Sequence, residues 1–591
     1  MRGAFSFLST LALLTTAIGV DASRLSKKSS GSISASVPRY IRMPIDHFNK
    51  SDHRTFPNRY YVNDTYYEHG GPVFLYDAGE SGLDPESAAS TIAETYGQSS
   101  VMQLTRKYHG IAIAWEHRYF GTSLPFPLAM NNGSITDPWG CYQAGDDCTH
   151  QPVNAPDSYE YLTIDQALED AVYFAHHFRL SHIDYPLTAE HTPWIFIGGS
   201  YPGSRAAFVR QRNPKTFYAS WASSAPVESR LDGSAYYNTI ERSISEPCRS
   251  DWIAAINHAD DIMDGKYGKK AFVELQKLLY VAEATTQGLN SSYDISEATT
   301  YQRSRLASLL QAGFGASEST AFQYEGPAGT VDIVCRHMER YDPSARAFNH
   351  TNREEKILSN PGTGKLHPDG IAEVYSPSVA LEALIYGTRR YQYEVYLAML
   401  KQESSSAGAD DGTTKKVQVD PNADTQAWYW IVATALGDFQ GSNPANISIV
   451  SRYSNWTAER TTEIVDGLEF NPKIFHGEPD VSKINKYGGW KMNPTHVMFT
   501  NGQYDPWRGF SVASQDTNYG SPERKIVQDV PKCHTAPEEG TAFGWVYPGQ
   551  VHVSDFDDQK GSMSNKSSPM YQGVTLFSKA LDAWLPCFNK E

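Results

Sequence analysis

Trp194-Ile195-Phe196-Ile197-Gly198-Gly199-Ser200-Tyr201-Pro202-Gly203-Ser204-Arg205-Ala206-Ala207 is the stretch on which the reading of this chain turns. Its four leading apolar residues have the composition of a strand buried on both faces. Two glycines and a serine follow, and then a run able to form a helix. Strand, tight turn, helix is the setting in which a serine stands on a strained turn with its Oγ raised above a parallel sheet. Ser200 is therefore the candidate nucleophile. The usual turn has glycine two places after the serine, where this chain has Pro202. Proline fits there because an N–H in the first helical turn has no intrahelical partner. An ordinary strand-to-helix turn with a capping serine is the other reading, and this motif alone leaves it open.

The surrounding sequence repeats the strand signal. Gly71-Pro72-Val73-Phe74-Leu75-Tyr76 and Gly110-Ile111-Ala112-Ile113-Ala114-Trp115 are short apolar runs, and Tyr161 to Phe178 has helical spacing suited to a crossover. This pattern predicts an α/β domain with a largely parallel sheet over residues 38–227. Residues 228–483 change to longer helical periodicity, as in 380–402 and 425–436, and predict a mainly helical insertion. Within it, Glu403 to Asp424 is low in complexity and reads as a surface loop. Thr495-His496-Val497-Met498-Phe499-Thr500 is a strand again, so the first domain resumes over 484–591.

A serine nucleophile needs a base, and the base an acidic partner to orient it. In α/β hydrolases these follow in the order Ser, Asp, His. Asp505, in Asn501-Gly502-Gln503-Tyr504-Asp505-Pro506-Trp507, lies just past the strand at 495–500; a structural Asp-Pro turn is its alternative. His552, in Pro548-Gly549-Gln550-Val551-His552-Val553-Ser554-Asp555, is the candidate base, with His534 and His496 as rivals. The oxyanion of the tetrahedral intermediate needs two N–H donors. Tyr201, directly after the serine, supplies one, and Gly79 in the loop Asp77-Ala78-Gly79-Glu80-Ser81-Gly82 is the choice for the other.

The chain has 591 residues, 51 Lys+Arg and 67 Asp+Glu, for a net charge of −16. No long basic run is present, which argues against a nucleic-acid partner. Arg2, the apolar stretch from Ala4 to Val20 and small residues near Ala22 predict a signal peptide over 1–22, followed by a Ser- and Lys-rich tail or pro-segment over 23–37. The expected location is extracellular, or the vacuole or lysosome, without stable membrane insertion. Asn-x-Ser/Thr acceptor patterns occur at Asn49, Asn63, Asn132, Asn290, Asn349, Asn446, Asn455 and Asn565. The six cysteines lack zinc spacing and read as disulfides in an oxidising compartment. Proximity suggests Cys141 with Cys148, Cys248 with Cys335, and Cys533 with Cys587. Gly362-Thr363-Gly364-Lys365 lacks the context of a phosphate loop. No metal or other cofactor is predicted, and the sequence leaves the oligomeric state open, a homodimer included.

Together these blocks resemble the serine peptidases that include lysosomal Pro-X carboxypeptidase, dipeptidyl peptidase II, thymus-specific serine protease and secreted fungal relatives. The resemblance runs through Ile45-Asp46-His47-Phe48, Phe56 to Tyr61, Gly71 to Gly82, Glu116-His117-Arg118-Tyr119-Phe120-Gly121-Thr122-Ser123-Leu124-Pro125, Gly198 to Tyr201, Asn501 to Trp507, and His552. It implies an α/β-hydrolase fold with an inserted helical cap, a Ser200/Asp505/His552 triad, and cleavage after proline, often at acidic pH. Peptides or proteins containing proline are the implied substrates, with Glu80, Trp507 and Trp428 as candidate contacts. The chain departs from the family pattern at Pro202, at Asp77 and Ala78, and at Ala433 and Ala435 in the aromatic segment beginning at Trp428. An esterase or lipase on the same scaffold, or an inactive binding relative, are the competing readings.

Overall fold

Burial alternates along the first parallel strands. Val73 and Leu75 enter one apolar cluster with Ile111, Ile113, Trp194 and Phe196. Phe74 enters another, with Ala112, Ala114, Ile195 and Ile197. A strand sends successive side chains to opposite faces, so this sheet is covered on both sides, which explains why its strands are apolar throughout. The computed structural model describes residues 37–93, 99–126, 159–286, 295–311, 330–342, 347–348, 365–389, 421–437, 440–441, 448–454, 478–556, 563 and 565–589. The expected signal peptide, nearly all of the tail, Cys141, Cys148, Asn132, Asn290, Asn349, Asn446, Asn455 and most of the low-complexity stretch lie outside the described residues.

The strands are β1 (Arg39–Pro44), β2 (Thr55–Asn63), β3 (Val73–Asp77), β4 (Ile111–Trp115), β5 (Trp194–Gly199), β6 (Phe217–Ser223), β7 (Tyr341–Asp342), β8 (Ala347–Phe348), β9 (Val497–Gly502), β10 (Lys525–Val527) and β11 (Thr541–Tyr547). Nine of them form one sheet in the order β1-β2-β4-β3-β5-β6-β9-β11-β10. β2 is antiparallel to both β1 and β4, and the pairings from β4 through β10 are parallel. A second strand antiparallel to the rest, with the nucleophile turn following the fifth, defines an α/β-hydrolase fold. The parallel strands all present their carboxyl ends on the same edge, where such sheets place their chemistry.

Two compact units are present. The first holds described residues from 232 to 417 and from 440 to 454. It is helical, with Ala235–Ser243, Glu246–Met263, Gly268–Thr286, Arg303–Leu310 and Thr330–Glu339, a helix over 377–389, and the short pair β7–β8. Cys248–Cys335 ties two of these helices together, and Asp251 accepts the Ile371 and Ala372 N–H groups at 2.9 and 2.8 Å. The second unit holds the sheet, its flanking helices and residues 421–437. Cys533–Cys587 closes its carboxyl-terminal end. The four cysteines described are thus paired as proximity suggested.

The segment 421–437, read from the sequence as part of a 228–483 insertion, groups instead with the sheet. Trp430 is the reason: its Nε1–H donates to Leu162 O at 3.1 Å and its ring stacks on Tyr159 at 5.6 Å. The expected loop Glu403 to Asp424 also ends early, because Pro421–Ile431 is a helix. Among the described residues no helix is long and apolar enough to cross a membrane.

Asn63 departs from its expected role as a glycan acceptor. It is 2 % exposed, and its Nδ2 donates to Ile92 O at 2.6 Å, so the folded chain does not present that amide. Asn49 and Asn565 are exposed, and their side-chain Oδ1 atoms accept the N–H groups of Ser51 and Ser567, each at 3.1 Å.

Candidate active site

The helix Tyr201–Arg212 leaves β5 through Ser200, whose φ of 65° and ψ of −132° fall outside the regions ordinary residues prefer. Such a conformation costs on the order of 1–3 kcal/mol and must be over-determined by its surroundings. Here Ser200 N–H donates to Ser223 O at 3.0 Å and Ser204 N–H donates to Ser200 O at 3.1 Å, so β6 and the helix hold the turn from both sides. A side chain at Gly199 would stand 2.4 Å from Val553 Cγ1, a contact only glycine permits. The residue before the candidate nucleophile therefore touches the residue after the candidate base.

Acid and base come from the carboxyl ends of β9 and β11. Asp505, fully buried, accepts from Trp507 N–H at 2.9 Å and from Asn501 Nδ2 at 3.1 Å. Its Oδ1 lies 2.8 Å from His552 Nδ1. A carboxylate only accepts, so Nδ1 carries the hydrogen, and Nε2 is the basic nitrogen of the neutral ring. The two loops are laced together by Gly549 N–H to Gln503 Oε1 at 2.9 Å and Tyr504 N–H to Gln550 O at 2.9 Å. Val553 N–H donates to Ser224 Oγ at 2.9 Å, which joins the base loop to the end of β6.

Sequence reasoning assigned no role to Asp555, three residues past His552. It is buried and accepts from the hydroxyls of Ser223 and Thr500, bridging β6 and β9 beneath the base loop. Burial pushes its carboxyl upward, the two hydroxyls oppose that shift, and Asp505 adds to it. The signal available in the sequence was only its spacing from His552.

The rival His496 is committed elsewhere, and His534 is an exposed side chain beside it, 5.1 Å between ring centroids. His496 Nδ1–H donates to Tyr218 O at 3.0 Å, and Nε2 accepts His534 N–H at 2.9 Å. Burial, then the neighbouring Arg210, pushes His496 down to about 3. It stays neutral and structural.

Gly79, at φ 79°, lies against the nucleophile helix, and a Cβ there would meet Pro202 Cγ at 2.6 Å. This accounts for Pro202 in place of glycine: the ring fills space that Gly79 leaves. The Gly79 N–H, expected to be a waiting oxyanion donor, instead donates to Asp77 Oδ1 at 3.2 Å. Tyr201 is the first residue of its helix, where the N–H has no intrahelical acceptor. Trp428 meets the Tyr201 ring edge-on at 5.6 Å. Trp507 packs toward Phe510, 5.8 Å between centroids, and is half-buried. Burial raises the Tyr201 phenol and the nearby carboxylates of Asp77 and Glu80 add to it, which places half-buried Glu80 within electrostatic reach of the turn.

A strained serine at a strand–helix turn, in a sheet whose later strand ends present a bonded Asp and His, defines a serine hydrolase of the α/β-hydrolase class. Comparison with known proteins narrows the class. The profile of the family described as Serine carboxypeptidase S28 matches residues 43–136 and 150–523, and the chain belongs to that family. It is a serine peptidase. The serine protease vicPb of Bipolaris victoriae is 26% identical over 487 residues, covering 80% of this chain and 78% of that protein. A probable extracellular serine carboxypeptidase of Arthroderma benhamiae is 31% identical over 516 residues, covering 82% of this chain and 60% of its own length. Mouse thymus-specific serine protease is 28% identical over 499 residues, covering 82% and 79%. Superposition on an acetylester hydrolase from Corynebacterium glutamicum gives a TM-score of 0.32 at 9% identity, covering 92% of this chain and 96% of that one.

Proposed function

We propose that this peptidase works through Ser200, His552 and Asp505, cutting peptide bonds on the carboxyl side of proline outside the cytosol. The observation that carries the reading is the bond from His552 Nδ1–H to Asp505 Oδ1 at 2.8 Å, which fixes the tautomer a general base requires. Ser200 Oγ attacks the substrate carbonyl carbon as His552 Nε2 takes its proton. The carbonyl oxygen becomes an oxyanion facing the N–H groups of Tyr201 and Gly79. Collapse expels the amine, which leaves with the proton from His552, and an acyl-enzyme remains on Ser200. Water then repeats the sequence against the ester. Asp505 orients the imidazole and stabilises its charge without taking a proton.

Trp428 and Trp507, both half-buried, supply flat apolar surface of the kind that receives a proline ring, with the buried Tyr201 ring behind Trp428. The amino-terminal sequence and the two disulfides support an oxidising destination.

The test is digestion of a mixed peptide library by the full-length protein and its Ser200→Ala variant from pH 4 to 8, with products mapped by mass spectrometry. Cuts after proline that vanish in the variant, together with loss of labelling by a serine-directed phosphonate, are expected. Cleavage retained by Ser200→Ala would overturn the nucleophile. Ser200-dependent cuts with no enrichment after proline would overturn the specificity alone.

A further inference from the structure

Beneath the nucleophile turn lies a charged pair that the triad does not use. Asp77 ends β3, and Arg205 sits five residues past Ser200 on the helix that Ser200 opens. Arg205 Nη1 donates to Asp77 Oδ2 at 2.6 Å, with both side chains 0% exposed. Nη2 donates to Ala167 O at 2.9 Å, and the guanidinium lies over the rings of Trp115 and Tyr201 at 5.2 and 5.7 Å. The other Asp77 oxygen accepts the Gly79 N–H at 3.2 Å. A continuous chain of contacts thus runs from the nucleophile helix through Arg205 and Asp77 to the loop after β3.

Fold stability does not account for this pair, because removing two charges from water costs about as much as their attraction returns, and apolar replacements are often as stable. Position is the better explanation. A carboxylate that holds an oxyanion donor in the resting state also competes with the oxyanion for it. Unneutralised, it would retain the N–H and repel the developing negative charge.

We propose that Asp77 and Arg205 are a positioning pair for the peptidase reaction. Asp77 keeps the Gly79 N–H aimed and occupied until the substrate carbonyl arrives, and Arg205 neutralises Asp77 so that the N–H can pass to the oxyanion. The inference rests on the reading of Tyr201 and Gly79 as the two donors. Burial raises the Asp77 carboxyl while Arg205 opposes the shift, in keeping with a carboxylate that depends on its partner.

The experiment measures kcat and KM separately on a peptide the wild type cleaves, using Arg205→Lys, Arg205→Met and Arg205→Met/Asp77→Asn in the full chain. Losing one oxyanion donor costs about 10²-fold to 10³-fold in kcat, so Arg205→Met is expected to lower kcat by about 10²-fold with KM nearly unchanged. Adding Asp77→Asn removes the offending charge and should restore at least about tenfold of that loss. Arg205→Lys keeps the charge but cannot reach Asp77 and Ala167 O as one planar fork, and should lose about tenfold in kcat. A folded Arg205→Lys with wild-type kcat overturns the proposal even where Arg205→Met does not fold. A double variant as slow as Arg205→Met also overturns it; because replacing both members of a buried pair also recovers stability, kcat is taken per folded molecule, and a rescue that only restores the folded fraction overturns it too. Ser200→Ala, run alongside, reports separately on the catalytic reading: if it remains active, the fault lies there.

Discussion

The block from Glu116 to Leu124 and the paired loops at 501–507 and 548–555 both sit at strand ends, yet they use buried charge in opposite ways. Glu116 is fully buried and spends its carboxylate on Arg59 at 3.1 and 2.5 Å, Leu83 N–H at 2.7 Å, Thr122 N–H at 3.0 Å and Ser123 Oγ at 2.8 Å. Arg118 is as heavily engaged, with two bonds to Asp170 at 2.5 and 2.6 Å and donors to the carbonyls of Ile45 and Tyr161. This charge is used to hold loops. In the paired loops Asp505 holds one imidazole, a second buried carboxylate, Asp555, bridges β6 and β9 beneath it, and the His552 side chain keeps 10% of its surface exposed. A recognisable run of charged residues can therefore mark an internal scaffold, while the proposed chemistry falls on residues that stand almost alone in sequence.

The largest expected effect breaks the comparison on the catalytic side. Asp505→Asn keeps the shape of the side chain but favours the wrong imidazole tautomer, and kcat should fall by about 10⁴-fold with the thermal transition little changed. A loss of less than about tenfold, measured by steady-state kinetics, would mean that His552 does not depend on Asp505.

The next effect belongs to the scaffold and has the reverse signature. Glu116→Ala leaves Arg59 buried without its partner and frees the Leu83 and Thr122 N–H groups, so stability should fall by about 3–5 kcal/mol. Denaturant unfolding measures it. The protein that remains folded should turn over at a rate near wild type, because Glu116 is not assigned to the reaction. A variant of unchanged stability but greatly reduced kcat would reverse the roles of the two regions.

A third prediction sharpens the boundary between them. Asp424 accepts Gly82 N–H at 2.6 Å and Gly121 N–H at 2.9 Å, fastening 421–437 to the loops after β3 and β4. Burial pushes its carboxyl from 3.8 up to about 6, with Glu116 adding to the shift and the two N–H groups and Arg59 opposing it. The folded chain then binds this proton more tightly than the unfolded chain. Its contribution is complete below about pH 4, declines as pH rises to about 6, and is flat above, for a total of about 3 kcal/mol at 1.4 kcal/mol per pH unit. Asp424→Asn should remove that decline, so the stability difference between variant and wild type should grow in the variant's favour from pH 4 to pH 6.5. Parallel stability curves would refute the assignment.

The sequence made the middle of the sheet legible, because strands β3, β4, β5 and β9 are buried on both faces and are apolar as a result. It hid β2, where Pro57, Asn58 and Arg59 argue against a strand. In the fold Asn58 and Arg59 are buried and bonded to Trp115, Ser123 and Glu116, contacts about sixty residues away that no local pattern encodes. Ser200, Asp505 and His552 could be picked out because each follows a strand in the expected order. Asp555 and the Asp77–Arg205 pair could not, since their meaning depends on which strand ends become neighbours. The placement of Trp430 against Leu162 was likewise invisible, because helical periodicity says which face is apolar and not what covers it.

The smallest effect lies at His117, where the scaffold block reaches the nucleophile turn. Its Nδ1 lies 2.6 Å from Arg118 O, a carbonyl that can only accept, so Nδ1 carries the hydrogen. Its Nε2 therefore accepts from the Tyr201 hydroxyl at 3.2 Å. Burial, with Arg205 and Arg118 nearby, holds this histidine well below its ordinary range, which favours the neutral ring and makes Nε2 only weakly basic. Its expected role is to steady the ring of Tyr201, whose backbone N–H is the proposed donor, and a neutral hydrogen bond of this kind contributes about 1 kcal/mol. His117→Gln, which retains a side-chain acceptor, should lower kcat by no more than about fivefold and leave the pH dependence of kcat/KM unchanged in shape. A displaced acid limb would show that His117 titrates during turnover, and the division between a charge-holding scaffold and a reactive pair of loops would fail at the point where they meet.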